Sequence, residues 1–218
     1  MKSITLLLCI GLAGMRASSY AASLTSPLNT HTGYADLGPG CHVRGEIPFD
    51  GIMGGSYRAQ SEENGGGFSI RKFPKKYGAT ELQVNMQCFK IDDGRVNDGW
   101  AKFNEQKKQW EPRFINEEDH LQRHKVTKIY PIQALNSQGF VVTEDDLIGE
   151  EWRRDRNMHF CLLRPPKALC GDAPVMRLND PKSNVLPYVL QILRSIEFID
   201  DVPSEQPSVG PNASVRDQ

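Results

Sequence analysis

Two histidines four residues apart, His120 and His124, are the first side chains in this sequence whose spacing can do chemistry. On a helix, i and i+4 share one face, as two ligands of a divalent metal must. Glu117, Glu118 and Asp119 lie just upstream and can add a carboxylate. The residues between the histidines are Leu121, Gln122 and Arg123, so the order is not His-Glu-x-x-His and carries no built-in general base. Arg123 also sets a positive charge beside any cation. The segment therefore reads first as a polar surface stretch leading into a strand at Val126. The second reading is the ligand pair of a secreted metal-assisted hydrolase.

A cysteine nucleophile needs a free thiol beside a histidine. His159 stands two residues before Cys161, on the same face of a strand, and His42 directly follows Cys41. Four cysteines able to pair leave little room for a free thiol. No serine sits in Gly-x-Ser-x-Gly, and no glycine-rich loop has phosphate-cradling spacing. The acidic turns Glu62-Glu63 to Gly67 and Asp92-Asp93-Gly94 to Asp98 lack the ligand order of an EF-hand. Catalysis is thus not the leading expectation, and no cofactor is expected. What remains is a set of aromatic residues, Trp100, Trp110 and Trp152 with Phe103 and Phe114, in stretches that read as loops. Loop-borne aromatics anchor protein interfaces and sugar sites, and they also form satellite core under long loops.

The elements that position these residues begin after an export signal. Met1-Lys2-Ser3 is a positive start, Ile4 to Met15 is an apolar run, and Arg16 to Ala22 is small and polar. The run is about a dozen residues, a signal h-region rather than the ~20 of a membrane span. Ser19 and Ala21 suit the −3 and −1 positions, so residues 1–21 are expected to be a cleavable signal peptide and the protein to be bacterial, periplasmic or secreted. The whole chain has 218 residues and net charge −1, and losing Lys2 and Arg16 leaves 24 basic against 27 acidic residues. Such a balance offers no electrostatic footprint for nucleic acid or an anionic membrane. No stable membrane insertion is expected after cleavage.

Cys9 leaves with the signal; Cys41, Cys88, Cys161 and Cys170 remain, an even number for an oxidising compartment. Three pairings are possible, of which Cys161–Cys170 with Cys41–Cys88 is preferred. The first closes a short loop through Pro165-Pro166 and contributes roughly 2.5–3 kcal/mol; the second closes a long one and contributes roughly 4 kcal/mol. The absence of Cys-x-x-Cys argues against a zinc site.

Residues 22–40 read as an irregular lead-in, 41–200 as one compact domain, and 201–218, with Pro203, Pro207 and Pro211, as a disordered tail. The clearest strand is Thr80 to Ile91, where Leu82, Val84, Met86 and Cys88 alternate with Glu81, Gln83, Asn85 and Gln87. Further strands are expected at Phe68–Phe73, Val126–Leu135, Gly139–Thr143 and Met158–Leu163, with Pro174–Leu178 able to pair with the last. Asp92 to Asp119 reads as a long connection with one short helical turn, and Glu144 to Glu150 as an acidic loop running into Trp152. Leu186, Val189, Leu190 and Leu193 recur at i, i+3, i+4 and i+7 and predict a helix over Val185–Ser195, capped by Ser183 or Asn184. The expected fold is α+β, a mainly antiparallel sheet with a C-terminal amphipathic helix packed on it.

The ending Leu186-Pro-Tyr-Val-Leu-Gln-Ile-Leu-Arg-Ser-Ile-Glu-Phe198, a helix delivering Ser-Ile-x-Phe into a strand, resembles the end of Mog1/PsbP-like domains. The resemblance covers about a quarter of the chain and implies an α/β sandwich with non-catalytic binding or assembly roles. The functional expectation is an exported binding protein whose partner is another protein, as in an inhibitor, immunity or envelope-accessory factor.

Overall fold

The computed structural model describes residues 29–57, 65–74, 81–97 and 99–200. The expected signal segment 1–21 and tail 201–218 lie outside the described residues. The chain builds a three-stranded sheet, β1 (Thr30–Asp36), β2 (His42–Pro48) and β12 (Glu197–Ile199), in the order β1-β2-β12. A seven-stranded sheet runs β3 (Ile52–Ser56), β4 (Gly65–Ile70), β5 (Leu82–Lys90), β11 (Lys167–Arg177), β10 (Asp155–Arg164), β9 (Gln138–Asp145) and β8 (Thr127–Gln133). All pairings in both sheets are antiparallel. A small hairpin, β6 (Ala101–Asn104) with β7 (Gln109–Pro112), follows the one-turn helix α1 (Gly94–Asn97). The remaining helices are α2 (Glu117–Arg123) and α3 (Leu186–Ser195).

The alternation of β5 explains the layering. Leu82, Val84 and Met86 are buried, Gln83, Asn85 and Gln87 are exposed, and the same period holds in Met158, Phe160 and Leu162 of β10. These inward faces share one core with Val43 and Ile47 of β2, Phe198 of β12 and the apolar stripe of α3. Leu186, Tyr188, Val189, Ile192 and Leu193 are buried in α3, so half of the helix faces the core. The three-stranded sheet and α3 therefore cover one face of the seven-stranded sheet. At the β9–β10 end, the opposite face carries a smaller core of Val96, Ala101, Phe140 and Val142, with Trp110 packed against it.

Several boundaries differ from the sequence reading. The segment 22–40 contains β1; its inward positions are Gly33 and Ala35, too small to carry a hydrophobic period. They are small because backbones meet there: a Cβ on Gly33 would lie 2.6 Å from Met53 Cβ, and one on Gly55 of β3 would lie 2.4 Å from the Asp36 carbonyl oxygen. The connection 92–119 holds the β6–β7 hairpin besides its helical turn. Strand β11 begins at Lys167, so the short loop that Cys161–Cys170 closes through Pro165-Pro166 is a β-hairpin. Helix α3 has Val185 as its N-cap with no side-chain bond; Asn184 Oδ1 instead accepts from Leu186 N at 3.1 Å, and Ser183 Oγ accepts from Arg177 N.

The helix stops where Ile196 turns extended and Ser195 Oγ donates to Ile192 O while accepting from Glu46 N. Asn136, in the β8–β9 turn, then ties the two sheets. Its amide donates to Phe198 O at 2.7 Å and accepts from Phe198 N at 2.9 Å, acting as a strand neighbour for β12.

Candidate functional site

His120 and His124 do converge. Asn116 caps α2 by accepting from Asp119 N, and the two imidazoles stack with centroids 5.0 Å apart. Nδ1 of His124 lies 2.8 Å from His120 O, which commits one ring nitrogen to the helix backbone. Asp119 is also engaged: it accepts from Ile115 N and from Arg123, and its carboxyl is held below the usual range, first by the Ile115 amide. Among the described residues no group of three or more histidine, cysteine or carboxylate side chains is placed to hold a metal ion.

Among the described residues all four cysteines are in disulfides, Cys41–Cys88 and Cys161–Cys170. The first joins the chain entering β2 to β5, and so one sheet to the other. The acidic turn at Asp93 is equally closed, because both carboxylate oxygens accept from Arg95, which holds the carboxyl down to about 2.

The five aromatic residues divide. Trp110 packs on Phe140 with centroids 4.8 Å apart, and Phe103 sets its edge against Trp110 while remaining 41% exposed. Phe114 lies edge-on to His120. Trp110 and Phe114 belong to local packing, whereas Phe103 is packed on one side only and is as exposed as Trp100. Trp100 and Trp152 are presented to solvent, at 39% and 53% exposure, from different places.

Trp100 lies flat on His159, centroids 3.5 Å apart and planes 9° from parallel. His159 projects from the outer face of β10, opposite Asp172 of β11. Burial beneath the indole lowers its pKa to about 4, opposed by Asp172 and reinforced by Arg123, so the ring is neutral at physiological pH. Arg123 is fixed by a bidentate pair with Glu144 and by Asp119. A depression of about 570 Å³ opens beside this stack over Asn85, Gln87, Arg95 and Asp172.

Trp152 belongs to the loop between β9 and β10. Leu147 and Ile148 project from its tip, 46% and 89% exposed. The backbone beneath them is braced: Arg154 Nε and an Nη both donate to Gly149 O, at 2.9 and 2.8 Å. Asp146 accepts from Asp155 N and Asn157, and Arg153 sits 4.3 Å over the Trp152 ring. The sequence marks this stretch as an acidic loop running into the candidate anchor Trp152, without singling out Leu147 or Ile148. Two adjacent large apolar residues before Gly149, in a turn between strands, were the available signal.

Among the described residues no helix is long and apolar enough to cross a membrane. No protein-family model matches this chain, and no curated protein does. A solved structure from Bacteroides thetaiotaomicron VPI-5482 aligns at 11% identity with a TM-score of 0.38, covering 76% of this chain. This chain spans about half of that one, 48% of its length. The likeness is distant enough that the site rests on its own geometry.

Proposed function

We propose that this is an exported, non-catalytic binding protein that docks another protein through the β9–β10 loop. The observation that carries the reading is the braced tip itself. Leu147, Ile148 and Trp152 are large, apolar and exposed, on a backbone held by the Arg154–Gly149 bonds and the Asp146 bonds. Exposed apolar side chains on a preordered loop spare a partner the ordering cost of binding, and aromatic anchors of this kind concentrate binding energy. Glu150 and Glu151 border the tip together with Arg153 and Arg154, so its rim has no net positive charge to draw it to an anionic lipid surface, and a protein partner fits better than a membrane. Export is supported by the signal-like N-terminus and by the two disulfides, which persist in oxidising compartments. A periplasmic inhibitor, an immunity factor or an envelope-assembly accessory each suits a stapled scaffold with one apolar docking tip.

The test is capture with the oxidised, tagged mature domain in extract from its own source, beside the Ile148→Asp and Trp152→Ala variants. One stoichiometric partner should bind the wild type at moderate salt and be lost from both variants. No partner, or equal capture by the variants, overturns the reading. A metal-assisted role for His120 and His124 would instead require stoichiometric metal that disappears in His120→Ala.

A further inference from the structure

The outer face of the seven-stranded sheet is open over β3, β4, β5 and β11, and three depressions run together across it. The first, over β3–β5, shares Gly66 and Asn85 with the second; the second shares Trp100, His159 and Asp172 with a third that reaches Glu144 of β9. Six strands line the trough, which at about 4.8 Å per strand spans roughly 24 Å.

Its floor mixes polar side chains with apolar surface. Gln83, Asn85 and Gln87 stand in a row on β5, with Ser69 beside them on β4 and Asp172 on β11. Gly54 and Gly65 leave open space where side chains would otherwise rise. The inward-facing Phe68 and Ile70 of β4 and Val84 and Met86 of β5 are buried in the main core, while exposed Ile52 of β3 and half-buried Phe89 of β5 add apolar surface along the trough. Most of the charges around it are already engaged: Arg95 by Asp93, Arg123 by Glu144 and Asp119, Asp146 by Asn157. Arg71 and Glu81, opposite in sign, both line the β4–β5 end. Trp100 forms an aromatic wall between the second and third depressions, over an uncharged imidazole, and Phe89 lines the second.

We propose that this trough binds a neutral oligosaccharide chain laid across the strands. An extended peptide reads a sheet through the unpaired backbone of an edge strand. Here β4, β5, β11 and β10 are interior strands paired on both sides, so along most of the trough a ligand is met chiefly by side chains, and β3 at one end is the edge strand of the sheet. Side-chain amides carry donors and acceptors together and match hydroxyl and acetamido groups, while Trp100 offers an apolar surface to a sugar ring. An anionic polymer would gain little, because Arg95 and Arg123 are paired, Arg71 shares its end of the trough with Glu81, and Asp172 faces it. The trough is long enough to favour oligomers over single sugars. This inference is independent of the docking loop.

The experiment is calorimetry and tryptophan fluorescence with neutral hexasaccharides of glucose (β1,4 and α1,4), N-acetylglucosamine, mannose and xylose, and with hyaluronan hexasaccharide as an anionic comparator. At least one neutral hexamer should bind saturably, more tightly than its dimer, with Kd below about 1 mM. Asn85→Ala and Gln87→Ala, both exposed and outside the core, should each weaken it by about tenfold, and Ile148→Asp should leave it unchanged. Hyaluronan should bind at least about tenfold more weakly. The inference is overturned if no neutral hexamer binds, if both amide variants bind as the wild type does, or if the anionic hexamer binds as tightly.

Discussion

Replacing His159 should flatten the acid limb of the stability curve. In the folded protein the ring is pressed against Trp100 and its pKa falls from 6.5 to about 4, chiefly by burial. Above pH 6.5 the ring is neutral in both folded and unfolded chains and contributes no pH dependence. Between 6.5 and about 4 the unfolded chain takes up a proton that the folded one refuses, so stability falls as pH falls. Below about 4 both states are protonated and the loss is complete. At 1.36 kcal/mol per pH unit the full loss is about 3 kcal/mol, an upper figure because the ring is only part-buried. Urea unfolding of wild type and His159→Gln from about pH 7 to about pH 4 isolates this contribution, since the carboxylates common to both cancel in the difference. The wild type should lose up to about 3 kcal/mol more than the variant, and its Trp100 emission should change with a midpoint near 4. Parallel pH curves, or an imidazole NMR titration of His159 centred near its ordinary value, would refute the reasoning.

Two substitutions test the packing that holds these surfaces. Thr143 is fully buried and its hydroxyl has no hydrogen-bond partner, so Thr143→Val should raise stability by about 1 kcal/mol in denaturant unfolding. Asn136→Ala strands the N–H and C=O of buried Phe198 and should cost about 2–3 kcal/mol, seen as a lower urea midpoint with an unchanged slope.

The parts of this molecule legible in the sequence are those where one side chain decides one face. The run from Leu82 to Cys88 alternates cleanly because β5 is interior, apolar inward and polar outward, and α3 shows its stripe because half of it is buried. The ladder at Gly33 and Ala35 hides because close backbone approach demands small residues there, and small residues leave no period. Strand β11 is legible only from Pro174 onward, since Lys167 to Asp172 mixes Cys, Gly and Ala with charge. Trp100 was visible as a loop aromatic, but its partner His159 comes from a strand some sixty positions away, and only the β10–β9–β8 pairing brings that strand under it. The trough was beyond reach for a related reason. Its amides are individually ordinary exposed positions on β5, and become a surface only when β4 and β11 pair on either side. His120 and His124, prominent in the sequence by their spacing, meet as a stacked pair in which His124 is tied to the helix backbone.

The most direct test of the docking account places a photo-reactive residue at position 148 in the full-length protein within its own cell, with position 105 in the β6–β7 turn as the exposed control. Illumination should give one discrete heavier adduct at 148, in the envelope or culture fraction, absent at 105 and lost when Trp152→Ala is added. No adduct at 148, or the same adduct pattern at both positions, would contradict it.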